Sequence, residues 1–116
     1  MLSASNRLRK SSDFSRTTKT GHRATSSLLV LYFLTHKDLP ASPQLGLIIN
    51  KSVGGSVERH RIARQLRHVA REHIADFPAH TQIVVRVLKS ADDYRQDFTA
   101  LIGKAQSRSS QTGASA

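Results

Sequence analysis

The sequence predicts an α+β fold: a two-layer sandwich in which about three helices lie on a small mixed β-sheet, in the order α-β-β-β-α-β-α. Three observations carry this expectation. Beyond Ser56, apolar positions recur at helical spacing, with Ile62, Leu66, Val69 and His73 on one side. Upstream, SSLLVLYFLT is a β-branched and aromatic run of strand length. Downstream, Thr81 to Leu88 alternates, with Ile83, Val85 and Val87 on one face and Gln82, Val84, Arg86 and Leu88 on the other.

The elements follow in order. Met1 to Lys10 is basic and expected to be loosely held. Ser11 or Ser12 is a candidate cap for a helix over 12–20, and Asp13 suits its N-terminal dipole. Phe14 is that helix's one large apolar side chain, and Gly21 fits the left-handed position past a helix end. His22 to Thr25 starts a strand, and SSLLVLYFLT is the next. Lys37 to Gln44 holds Pro40 and Pro43 and reads as a loop, and LGLIIN is a strand over 45–50. Gly54-Gly55 breaks that strand. Ser56 is the expected N-cap of a helix over 57–75, which ends before Pro78. After the 81–88 strand, Tyr94, Phe98, Leu101 and Ile102 recur at helical spacing within Ala91 to Lys104. Ser107 to Ala116 is low in complexity and is expected to be a disordered tail, leaving 1–106 as a single domain.

The charge narrows the function. Of 116 residues, 18 are Lys or Arg and 8 are Asp or Glu, a net charge of +10. Such a chain repels itself and favours anionic partners. With no cysteine, a disulfide framework and a thiolate metal site are excluded. Residues 1–20 carry no continuous apolar stretch, and no apolar run is long enough to span a bilayer. A cytoplasmic protein without a membrane partner is the expectation.

The cations are ordered along the 57–75 helix. Five arginines, Arg59, Arg61, Arg64, Arg67 and Arg71, fall within 13 residues, and Lys51 lies just before the glycine turn. At about 100° per residue, Arg61, Arg64, Arg67, Arg71 and His60 fall opposite the apolar side. Guanidinium donates in a fork that matches phosphate oxygens, and only Glu58 and Glu72 stand near enough in sequence to neutralise it. A polyanion, RNA above all, is the partner such a ladder fits. The Gly54-Gly55-Ser56 turn opens a helix N-terminus but lacks the spacing of a phosphate-binding P-loop. His68 and His73 lie about 140° apart on the helix, so they do not share an ion easily. His22, His36 and His80 fall in expected loops, and no H-E-x-x-H motif or acid pair is present. No catalytic and no metal-binding residue is expected on the polypeptide. Tyr32 and Phe33 point to opposite faces of their strand, so one can join the core while the other stacks on an unpaired base.

The strand–Lys–Gly–helix segment NKSVGGSVERHRIARQLRHVAR resembles the signature of the bacterial ribonuclease P protein component. Lys51, Gly54, Val57, Arg59, Arg61, Ile62, Arg64 and Arg67 match it, and NRLRKSSDF resembles the family's basic N-terminal segment and first helix, with Phe14 at its Phe. The resemblance covers roughly residues 6–102. His60 replaces an Asn, Ala63 a usual Lys, and Asn50 a common Ser; Thr17 and Thr18 stand where apolar or aromatic residues are frequent.

What the resemblance implies is definite. The fold would be ribosomal protein S5 domain 2-like, with a left-handed β-α-β crossover around the arginine helix. The partners would be the ribonuclease P catalytic RNA, one copy per protein, and precursor tRNA. The ribonucleoprotein is an endoribonuclease, a hydrolase that removes the 5′ leader. Its chemistry is carried by the RNA, whose bound Mg2+ activates the attacking water, and the protein is a non-catalytic component. Docking on the catalytic RNA would fall to Lys51, Arg59, His60, Arg61, Arg64, Arg67 and Arg71, and leader binding to Phe14, Tyr32 and Lys51. The competing expectation is a ribosomal or general RNA-binding protein with no processing role, because basic charge and an α+β sandwich fit it equally.

Overall fold

The computed structural model describes residues 6–115, with side chains described through Ala105. Its elements are α1 (Ser11–Thr20), β1 (His22–Thr25), β2 (Leu29–Thr35), β3 (Gln44–Ile48), α2 (Ser56–His73), β4 (Thr81–Val87) and α3 (Arg95–Ser115). Short 3-10 turns, Lys51–Val53 and Ile74–Asp76, flank α2. The strands form one mixed sheet in the order β1-β2-β4-β3; β1-β2 and β2-β4 are antiparallel and β4-β3 is parallel. The expected α+β class and order are therefore found. The backbone of α3 continues over the positions assigned to a tail; side chains from 106 onward and all of Ala116 lie outside the described residues.

The sheet's two faces differ. On one, Leu29, Leu31, Phe33, Leu45, Ile83, Val85 and Val87 pack against Ile62, Leu66, Val69 and Ala70 of α2 and Tyr94, Phe98, Leu101, Ile102 and Ala105 of α3. This is the main core, and its strand residues are the alternate ones that the sequence pattern selects. On the other face α1 crosses β2 and β4, where Thr17 is buried and donates through Oγ1 to Gln82 Oε1 at 3.3 Å.

The ladder fixes the hand of the β3-α2-β4 crossover. Leu88 N–H donates to the Leu28 carbonyl at 2.8 Å, in register with the β2-β4 pairing, so even residues of β4 turn their amides toward β2. The amides of Ile83, Val85 and Val87 then face β3. On an ascending strand of L-residues, a side chain pointing at the viewer has its own amides to the right. Seen from the α2 side, β3 therefore lies to the right of β4, and the chain passes from right to left through the helix. The crossover is left-handed, against the strong general preference.

Several local expectations are corrected. The N-caps are Lys10 and Gly55 with no side-chain cap, so Ser56 is the first residue of α2. Gly21 is extended at φ −79°, ψ 171°. It is needed for close approach: a Cβ there would stand 2.5 Å from the carbonyl oxygens of Phe33 and Thr17. Part of the N-terminal segment is anchored: Arg7 bridges Leu45, Leu8 is buried and donates to the Leu45 carbonyl at 2.9 Å, and Asn6 Nδ2 donates to the Pro43 carbonyl at 2.7 Å. It lies along β3, the sheet's otherwise open edge. Residues 1–5 of the segment lie outside the described residues. Finally, α3 begins at Arg95, not Ala91, because 88–94 is a turn knotted by buried Tyr94: its hydroxyl donates to the Lys89 carbonyl at 2.8 Å and accepts the Ala91 N–H at 2.9 Å.

Candidate nucleic-acid interface

With Ile62, Leu66, Val69 and Ala70 in the core, α2 has one outward face and two flanks. The outward face carries exposed His60, Arg64, His68 and Arg71, with half-buried Arg67 beside them. Arg64, Arg67 and Arg71 make no hydrogen bond or ion pair to another described residue, so their donors are free for a partner. His60, Ala63, Arg64 and Arg67 line an open groove of about 490 Å³ along the helix. Val57, at 84% exposure, adds an apolar contact point beside its N-terminal end.

One flank is paired. Arg61 Nε and Nη2 fork onto the Glu58 carboxylate at 2.7 and 3.0 Å, and Nη2 also donates to the Ala91 carbonyl at 2.7 Å. Ser90 Oγ donates to the same carboxylate. These bonds hold the Glu58 carboxyl down at about 2, the Arg61 fork first and the Ser90 hydroxyl second, and the pair raises the Arg61 guanidinium in turn. One turn on, Gln65 Nε2 donates to the Asp92 carbonyl at 2.8 Å; farther along, Arg95 forks onto Glu72 and holds that carboxyl low. Arg61 therefore belongs to this flank, not to the outward ladder where the sequence put it. Its carbonyl partner Ala91, and the Ser90 that bonds Glu58, lie about thirty residues away and leave no local signal.

The other flank turns toward the β3 edge. Arg67 lines a groove of about 240 Å³ with Arg7, Leu8, Arg9, Phe14, Leu45, Gly46 and Leu47. The ring of Phe14 lies over Gly46, where a Cβ would stand 2.3 Å from it. Gly46, Val84, Tyr32 and Arg23 are successive cross-strand partners, so Phe14 and half-buried Tyr32 stand on one row of the sheet, two strand spacings or roughly 10 Å apart. The next row holds Ile48, Arg86, Val30 and Thr25. Arg86 is a cation near the C-terminal end of a central strand, and its Nε is buried with no described partner. The alternation put Arg86 on this face; only the register shows that it lies one row from Gly46 and Tyr32.

The structure thus brings His60, Arg64, Arg67 and Arg71 together, and through Arg67 joins them to Phe14. Arg59 is half-buried with its Nε unpartnered among described residues, and Lys51 is exposed on the 3-10 turn after β3. Arg7, Arg9, Arg23 and Arg86 extend the cationic surface in a way sequence spacing did not reveal. The acids are segregated. Glu58, Glu72, Asp76, Asp92, Asp93 and Asp97, six of the chain's eight, lie on α2, α3 or the turns beside them. Among described residues no three histidine or carboxylate side chains gather at one point, and no helix is long and apolar enough to cross a membrane.

Comparison with known proteins agrees with this geometry. Residues 2–108 match the family Ribonuclease P. The chain is 46% identical over 93 residues to the ribonuclease P protein component of Mycobacterium leprae, covering 78% of each. It is 37% identical over 117 residues to that of Acidothermus cellulolyticus, covering 96% of this chain and 98% of the other. Its fold is similar to the solved RNase P protein of Staphylococcus aureus, with a TM-score of 0.77 at 26% identity over 86% of this chain and 94% of that one.

Proposed function

Because the chain belongs to the ribonuclease P protein family, we propose that it is the protein subunit of a ribonucleoprotein that removes the 5′ leader from precursor tRNA. The observation that carries the reading is the free cationic face of α2, which continues at Arg67 into the groove under Phe14. His60, Arg64, Arg67 and Arg71, with Arg59 and Lys51 at the N-terminal end, dock on the catalytic RNA by donating to phosphates. Phe14 and Tyr32, on one row of the sheet, stack on unpaired leader bases, while Arg86 and Lys51 contact the leader backbone. A duplex hides its base faces, so stacking platforms of this kind select a single strand.

The cutting groups belong to the RNA on this reading. Activation of the attacking water is the chemistry that its magnesium supplies. This chain's own task is electrostatic: it lowers the repulsion between two polyanions and holds the leader in register. The test is cleavage of precursor tRNA by the catalytic RNA at low magnesium, with and without the protein. Stimulation is the expected result. No effect would leave a general RNA-binding module, and cleavage by the protein without RNA would overturn the assignment of the chemistry.

A further inference from the structure

We infer that Arg61 is a positioning residue: with Glu58 it latches α2 to the β4-α3 turn so that the outward cations meet the RNA together, and it does not itself contact phosphate. The inference rests on the docking proposed above. Of the five N–H donors of this guanidinium, Nε and one Nη2 proton are spent on Glu58 and the second Nη2 proton on the Ala91 carbonyl. Arg64, Arg67 and Arg71 spend none on any described residue. The partner side of the latch is rigid. Ser90 donates to the Glu58 carboxylate and Ala91 accepts from Arg61 within a turn that the Tyr94 hydroxyl ties to the core at both Lys89 and Ala91. Tyr94 has no exposed surface. A continuous chain of bonds thus runs from the N-terminal turns of α2 into the core, and the outward face is oriented by it. A carboxylate fork, already in place and with no RNA bound, is also the wrong neighbour for a phosphate contact, since an approaching phosphate would meet Glu58 as a like charge.

The test measures affinity for the catalytic RNA for Glu58→Gln, Arg61→Gln, the double variant and Arg64→Gln, across a range of salt concentrations in which circular dichroism shows each free variant fully folded. Arg64→Gln should flatten the salt dependence by about 0.7–0.9 in log–log slope, one phosphate contact's worth. Glu58→Gln and Arg61→Gln should each weaken binding about threefold to tenfold with the slope unchanged, and the double variant should be no worse than either. Tighter binding by Glu58→Gln, together with a flattened slope in Arg61→Gln, would make Arg61 a phosphate contact held back by Glu58 and overturn the latch. Unchanged affinity in a folded Arg61→Gln would reduce the pair to scaffold and overturn it too. An Arg64→Gln variant with wild-type slope sinks the docking reading itself, and the latch with it.

Discussion

At the scale of single residues, the face proposed to hold the leader is shaped by what is small. Gly46 leaves the space that the Phe14 ring fills, and a methyl group added there would also meet Leu8 Cβ at 3.2 Å. Gly46→Ala should therefore push the ring aside. Leader affinity is expected to fall as far as in Phe14→Ala, with no further loss in the double variant, while catalytic-RNA affinity holds; fluorescence titration with leader-length RNA reads the first and with the catalytic RNA the second. Thr17 makes a different trade. An apolar residue is frequent at this position in the family the chain resembles, yet here the hydroxyl is buried and donates to Gln82, whose Nε2 in turn donates to Gln44 Oε1 at 3.2 Å. The polar Gln82 in a central strand and the polar Thr17 on α1 thus explain each other. Thr17→Val keeps the shape and strands a buried acceptor, so it should lower stability by about 1–3 kcal/mol in urea denaturation. Thr18 turns its hydroxyl back to the carbonyls of Phe14 and Ser15 and does not enter this network.

At the scale of elements, α2 is a helix with a division of labour, and the division is testable by pH. The Glu58 carboxyl titrates at about 2 in the folded chain, well below its ordinary value of 4.5, because Arg61 and Ser90 bond the ionised form. A depressed folded value means that the latch's contribution is full above the unfolded value and is lost as pH falls from about 4.5 toward about 2. The melting temperature should decline through that window in the wild type and decline less in Glu58→Gln; identical profiles would remove Glu58 as the cause. This element also shows what a sequence can and cannot declare. Apolar period, strand alternation and the ordering of arginines were legible because each is local. The caps were not, since Lys10 and Gly55 hold cap positions with no side-chain bond and Ser56 lies one residue inside. Nor was the split between Arg61 and Arg64, which depends on Ser90 and Ala91 arriving from beyond β4. Phe14 became a candidate site residue only through the family resemblance; Arg86 needed the register that sets it between Ile48 and Val30. The left-handed crossover came from the resemblance and runs against the general rule.

At the scale of the whole molecule, the acids and bases are sorted in space, so a net charge of +10 is felt mostly on one side. Six acids sit on α2, α3 and their turns, some of them already spent in pairs with Arg61 and Arg95, while Asp13 is the one acid among the cations of 6–23: Arg7, Arg9, Lys10, Arg16, Lys19 and Arg23. The chain's radius of gyration is 13.5 Å. At ~0.01 M salt the screening length is ~30 Å, so every cation on that side repels every other; at ~0.15 M it is ~8 Å and only neighbours do. Folding brings these charges together, and an unfolded chain relieves the repulsion. The free protein should therefore be partly unfolded at low salt and gain helix as anions are added. Sulfate should act at lower concentration than chloride, because its oxygens accept paired guanidinium donors and so bind the folded face specifically, stabilising it by mass action. Circular dichroism during parallel sulfate and chloride titrations separates the two effects. Equal curves at equal ionic strength would mean screening alone, and a signal that is flat from the lowest salt upward would show that the charge does not oppose the fold. With helix gained first in sulfate, anion binding and folding of the chain would be coupled, and RNA binding would complete the folding of its own partner.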